Sequence, residues 1–141
     1  MGTLRDLSVR LGKLSKELDN TANERAKQAA KAILRELVEV TPVYTTKALS
    51  NWQIGVGAPV AGAIGAYFPG ILGYTTAESS EAALRIGYAR IDAKKLGEVL
   101  YISNATPYIG ELNRGSSRQA PAGFVERSVL VGKAAARARL K

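Results

Sequence analysis

The sequence predicts an α+β fold, with a long N-terminal helix, a small antiparallel sheet of two to four strands, two further helices and a long uncharged Gly/Ala-rich loop. Three observations carry this. Leu4, Leu7, Leu11, Leu14 and Leu18 recur at steps of three and four, which places all five on one side of a helix. Two short apolar runs, Trp52 to Val56 and Val99 to Ser103, are bounded by turn residues as strands are. The first run lies within Ala48 to Ala77, a stretch without a single charged residue.

The first helical pattern covers residues 1 to 40. Around Asp19 to Asn23 the leucine stripe stops, and Ala22, Ala26, Ala29, Ile33, Leu37 and Val40 continue on a shifted face, so one bent helix or two are expected. Thr41 and Pro42 end the pattern, because proline has no amide hydrogen and pushes the residue before it out of the α region. Thr45 to Asn51 suits one short helical turn. In the strand that follows, Trp52, Ile54 and Val56 alternate onto one face until Gly57 and Pro59 stop it. Thr75 and Glu78 have capping-box spacing, and Leu84, Tyr88 and Ile91 follow at helical intervals to Asp92. After a turn at Lys94 to Gly97 and the second strand, Asn104 to Thr106 breaks the chain. Tyr108, Ile109 and Leu112 form a helical turn closed at Gly115. Pro121 suits a first helical position, so a last helix is expected from 121 to 138, with Phe124, Val125, Val129 and Val131 as its apolar groups.

At 141 residues the chain is long enough for one domain with one core. We expect a single domain over 1–141, made of a helical arm (1–40), the uncharged loop or hairpin (54–74) and a basic C-terminal segment (114–141). The net charge of +8 is unevenly spread. Residues 1–40 hold eight basic and six acidic groups, residues 41–113 hold five of each, and residues 114–141 hold seven basic groups against Glu126 alone. Arg127, Lys133, Arg137, Arg139 and Lys141 are thus a candidate contact with a polyanion or an acidic protein. The run lacks the interleaved aromatics of a base-stacking surface.

Several chemistries are excluded by composition. With no Cys and no His there is no disulfide, thiol nucleophile, imidazole base or usual transition-metal ligand. The Gly-x-Gly at Gly55 to Gly57 lacks the later glycine, lysine and hydroxyl of a phosphate loop. Glu36 with Glu39 and Glu78 with Glu81 lie on amphipathic helical patterns, not in a convergent cleft. The expectation is no catalytic residue, no metal, no cofactor and no enzyme activity. Residues 54–74 are long enough to span a bilayer, yet six glycines and two prolines between Gly55 and Gly73 make a poor isolated helix. We expect no membrane contact, with membrane insertion of Ile54 to Tyr74 as the weakest of the readings. Met1 to Arg5 begins no secretory signal, so synthesis in a cytoplasm is expected. So much exposed apolar surface on one chain invites association instead.

Two stretches resemble a known family. Thr41-Pro-Val-Tyr-Thr-Thr-Lys-Ala-Leu-Ser-Asn-Trp-Gln-Ile-Gly-Val-Gly is similar to the segment that follows the long first helix in tail completion, or head-to-tail joining, proteins of tailed bacteriophages. Leu100 to Glu126 is similar to that family's strand, Asn-x-x-x-Tyr-Ile turn, Leu-x-x-Gly and Gln-Ala-Pro-x-Gly helix start. The chain departs at Tyr44-Thr45-Thr46, where many relatives resemble Asp-Thr-Gly, and in the uncharged stretch from Ala58 to Tyr74. The resemblance implies a structural virion protein of the neck, made in the host cytoplasm, that completes the tail and joins it to the DNA-filled head. It implies a ring, of six copies, between a head-side connector and tail terminator or tail tube proteins, with packaged DNA passing near. On this reading the expected assembly interface is Trp52, Ile54, Tyr67, Phe68, Ile71, Leu72, Tyr74, Tyr108, Arg118 and Gln119. For Trp52 and Tyr108 core packing competes with that role. The alternative is a basic DNA-binding protein that uses its C-terminal helix.

Overall fold

A computed structural model describes residues 4–117, 119–120 and 122–138, with only the backbone of 4–7. Its order is α1 (Leu4–Val40), α2 (Lys47–Ser50), β1 (Gln53–Val56), α3 (Thr76–Asp92), β2 (Leu100–Ser103), α4 (Ile109–Asn113) and α5 (Phe124–Arg137). This is the expected α+β arrangement. The sheet has two antiparallel strands, with Gln53 opposite Ser103, Ile54 opposite Ile102 and Val56 opposite Leu100.

α1 is one unbroken helix of 37 residues, so the change of face near Asp19 marks neither a break nor a second helix. It marks a change of neighbours. Beyond residue 25 α1 is the spine of the core, through Ala30, Leu34, Leu37 and Val38. From residue 8 to residue 20 every residue is exposed. α3 crosses at Gly87, where a Cβ would stand 2.2 Å from Leu34 Cδ2 and 3.5 Å from Ile54 Cγ1. α5 runs antiparallel along another side, at Gly132, where a Cβ would stand 2.2 Å from Ile33 Cγ1 and 3.2 Å from the Ala29 carbonyl oxygen. Only glycine admits helices this close.

That contact corrects the expected face of α5. It buries Phe124, Ser128 and Gly132, a stripe at steps of four, and leaves Val129 and Val131 exposed. α5 also starts at Phe124, after Gly123 with φ 80°, and not at 121; Pro121 lies outside the described residues. α1 caps the far end of α5. Arg25 Nη1 donates to the carbonyls of Ala136 and Ala138 at 2.5 and 3.0 Å, and Gln28 Nε2 to that of Ala135 at 2.5 Å. These carbonyls lie at the C-terminal end of α5, where a helix runs out of its own donors and a cation is favoured.

Two further expectations are corrected. The capping box does not form: Thr75 stands at the N-cap of α3 without a side-chain bond, and its buried Oγ1 has no partner. Instead Thr76 Oγ1 donates to the Gly73 carbonyl at 2.6 Å. The strand is also shorter by one residue, and its faces differ from the alternation. Trp52 and Ile54 are buried, but so is Gln53 on the other face, while Val56 at the sheet's end is exposed. The indole of Trp52 donates to Thr41 Oγ1 at 2.7 Å, which satisfies its one polar atom inside the core.

Candidate assembly surfaces

The segment between β1 and α3 is neither helix nor strand, so its backbone needs partners from elsewhere. Uncharged side chains supply them. Asn51 Nδ2 donates to the Ile64 carbonyl at 2.8 Å, and Asn51 Oδ1 accepts from Ile64 N at 2.7 Å. Gln53 Nε2 donates to the Gly62 carbonyl at 2.8 Å and Ser103 Oγ to that of Val60 at 3.3 Å. Ser50 Oγ accepts from Tyr67 N at 3.1 Å, and Ser79 Oγ from Phe68 N at 3.1 Å. The hydroxyls of Thr46 and Ser79 stand 3.0 Å apart, each 3.2 Å from the Phe68 carbonyl oxygen. Thr46, Ser50, Asn51, Gln53 and Ser79 are all buried.

The loop is therefore tied down from four elements, yet its far side is bare. Phe68, Ile71, Leu72 and Tyr74 are exposed, Tyr74 to 77%. Leu72 has φ 55°, a conformation that only the surrounding turn sustains. Gly73 N donates to the Tyr44 carbonyl at 2.8 Å, which joins exposed Tyr44 to the same surface. Tyr67 is half-buried against the core. Trp52 and Ile54 are buried in this chain, at 7% and 2% exposure, and Trp52 lines an apolar groove beside α1 and β2.

Tyr108 and Gln119 meet at a second place, a cleft of about 290 Å³ between residues 42–48 and α4. Gln119 pairs with the backbone of Val43, accepting from its N–H at 2.7 Å and donating to its carbonyl at 2.9 Å. Tyr108 is 38% exposed, and burial of the rest pushes its hydroxyl above the usual tyrosine range. Arg118 lies outside the described residues.

Among the basic residues, Arg127, Lys133 and Arg137 are exposed on α5; Arg139 and Lys141 lie outside the described residues. Arg127 Nη1 donates to the Ala122 carbonyl at 2.8 Å. Helical spacing sets these three with Leu130, 61% exposed, and Glu126 on one outward face.

Two surfaces were not foreseen. An apolar groove of about 980 Å³ runs between α1, the start of β2 and α5, with Ala26, Ala29 and Ile33 in its floor and Val99, Val125 and Val129 in its walls. The alanines of α1 were its sequence signal, since small side chains leave room. The other is the leucine stripe, where Leu11, Leu14 and Leu18 are each at least half exposed. On the opposite side of α1, Lys31 bonds Asp92 of α3 at 2.6 Å and sits 5.6 Å from the Tyr88 ring centroid. Lys27 donates to the Asp92 carbonyl at 3.2 Å. No helix among the described residues is long and apolar enough to cross a membrane, and the 54–74 stretch is not helical.

Residues 5–68, from α1 to the middle of the loop, match a protein-family model described as "Bacteriophage HK97-gp10, putative tail-component". That stretch is similar to an HK97-gp10-like phage tail component. The match agrees with the tail-completion resemblance of the sequence and supports a structural tail protein, found in the virion and in contact with other virion proteins. It spans α2, β1 and the loop anchors Thr46, Ser50, Asn51 and Gln53, whereas Ser79 and the resembling stretch Leu100 to Glu126, with the anchor Ser103, lie beyond it. No curated protein and no solved structure matches the chain.

Proposed function

We propose that this chain is a structural protein of a tailed-phage neck, which completes the tail and joins it to the DNA-filled head through protein–protein contacts in a ring of six copies. Its neighbours on this reading are a head-side connector and a tail terminator or tube protein. The observation that carries the proposal is the loop: its backbone is fixed by hydrogen bonds from buried residues while Phe68, Ile71, Leu72 and Tyr74 stay in water. Taking about 200 Å² for a fully exposed large side chain, these four and Tyr44 present roughly 600 Å². A stable interface takes about 800 Å² from each partner, so the patch is most of one.

None of the groove's lining residues belongs to the loop. Two different apolar patches on one chain are what head-to-tail contacts require, and such contacts close into a ring when the rotation allows. The chemistry is adhesion, with no reaction. The outward face of α5 mixes Arg127, Lys133 and Arg137 with Leu130 and Glu126, which favours a protein neighbour over the DNA passing along the axis.

Particle microscopy of the assembled phage tests this. The expected result is density for this chain in a ring at the head-to-tail junction; its absence from that junction removes the proposal. Tight duplex binding by the isolated chain, falling steeply with salt, supports the DNA-binding alternative instead.

A further inference from the structure

We infer that the projecting half of α1 pairs with the same half of a second copy, antiparallel, as a short two-stranded coiled coil. Leu4, Leu7, Leu11, Leu14 and Leu18 alternate steps of three and four without a break, the 3.5-residue period of a coiled-coil seam. Continued in the same frame, the positions become Thr21, Arg25 and Gln28. Arg25 and Gln28 are the residues that cap α5. The seam therefore stops where the chain's own helix takes over that side of α1. The 18 residues from Leu4 to Thr21 extend about 27 Å, and Leu11, Leu14 and Leu18 are 57%, 50% and 62% exposed along them.

Charge selects the occupant and its direction. With leucines at the a and d positions, the flanking g positions are Arg10 and Glu17, and the flanking e positions are Ser8 and Ser15. All four are exposed. In an antiparallel pair g faces g, so Arg10 of each copy meets Glu17 of the other, and the two ion pairs are related by a two-fold axis. The same register sets Leu7 against Leu18 and Leu11 against Leu14, which gives four all-leucine layers. A parallel pair would put Arg10 beside Ser15 and Glu17 beside Ala22, without charge pairing. A second copy thus supplies both the apolar seam and the complementary charges. The inference concerns the chain before or outside the virion and does not rest on the neck reading.

Sedimentation of the full chain from low to high micromolar concentration tests it. The expected result is a mass rising from one copy to two, and Leu14→Lys abolishes the rise. Arg10→Glu and Glu17→Arg each weaken association by about tenfold, because both g contacts become like-charged. The chain with both reversals recovers wild-type association. Circular dichroism checks that these exposed positions leave folding unchanged. The inference is overturned by a wild-type chain that stays single, by a dimer or larger ring indifferent to Leu14→Lys, or by a double reversal no tighter than the single ones. None of these outcomes bears on density at the head-to-tail junction, so the two proposals fail separately.

Discussion

The side chain of Asn51 binds Ile64 as one strand binds another, donating to its carbonyl at 2.8 Å and accepting from its N–H at 2.7 Å. The same amide also donates to the Lys47 carbonyl at 2.8 Å, so a single buried residue links α2 to the loop. Asn51→Ala leaves both backbone groups of Ile64 without partners. The expected cost is about 2–4 kcal/mol in urea unfolding, with amide exchange at Ile64 and Tyr67 rising well before the rest of the chain opens. Unchanged exchange there would mean that the loop does not depend on Asn51.

Gly132 allows α5 to lie against Ala29 and Ile33. Gly132→Val forces a side chain into space already filled, and is expected to destabilise by about 1–3 kcal/mol, or roughly 3–10 °C in Tm. Ile33→Ala in the same chain restores part of the loss by opening that space. A calorimetric scan that finds Gly132→Val neutral contradicts the close packing.

Thr41 holds the indole of Trp52, the protein's one tryptophan. Thr41→Val keeps the shape but strands a buried N–H, at an expected cost of about 1–3 kcal/mol; Trp52→Phe together with Thr41→Val removes both partners and costs less than the two changes summed. Urea titrations of all three variants give the coupling, which should be absent if the bond is.

Burial pushes the hydroxyls of Tyr88 and Tyr108 above the ordinary value of 10.0, although for Tyr88 the nearby Arg35 and Lys31 oppose the rise. Each holds its proton more tightly folded than unfolded. Their contribution is intact below about pH 10 and is lost as pH climbs through the raised values. Urea midpoints between about pH 8 and pH 11 should fall, and Tyr108→Phe should flatten part of that decline. An equal slope in the variant would remove Tyr108 from the account.

Much of this architecture was legible because its signals are local. Thr41-Pro42 ends α1 by sterics, Gly57 stops β1, and the period of Leu84, Tyr88 and Ile91 is that of α3. What failed depended on distant chain. Thr75 has the spacing of a cap, but its side chain packs against Gly70, where a Cβ would stand 2.7 Å from Thr75 Cγ2. Val129 and Val131 look like core residues, yet α1 comes too close for them and takes Ser128 and Gly132 instead. The loop's exposed apolar residues could be named from composition. Its anchors could not, since Thr46, Ser50 and Ser79 meet partners 11 to 33 residues away and carry no motif. The groove required three elements to come together, of which only the alanines of α1 left a trace.

Among the described residues no ionised side chain takes part in the bonds that fix the loop between β1 and α3, and none lies between Ala48 and Ala77 at neutral pH. A joint made there would be as firm in brine as in fresh water and indifferent to mild acid. Cold is what should loosen it, because the attraction between oily surfaces fades as water is chilled.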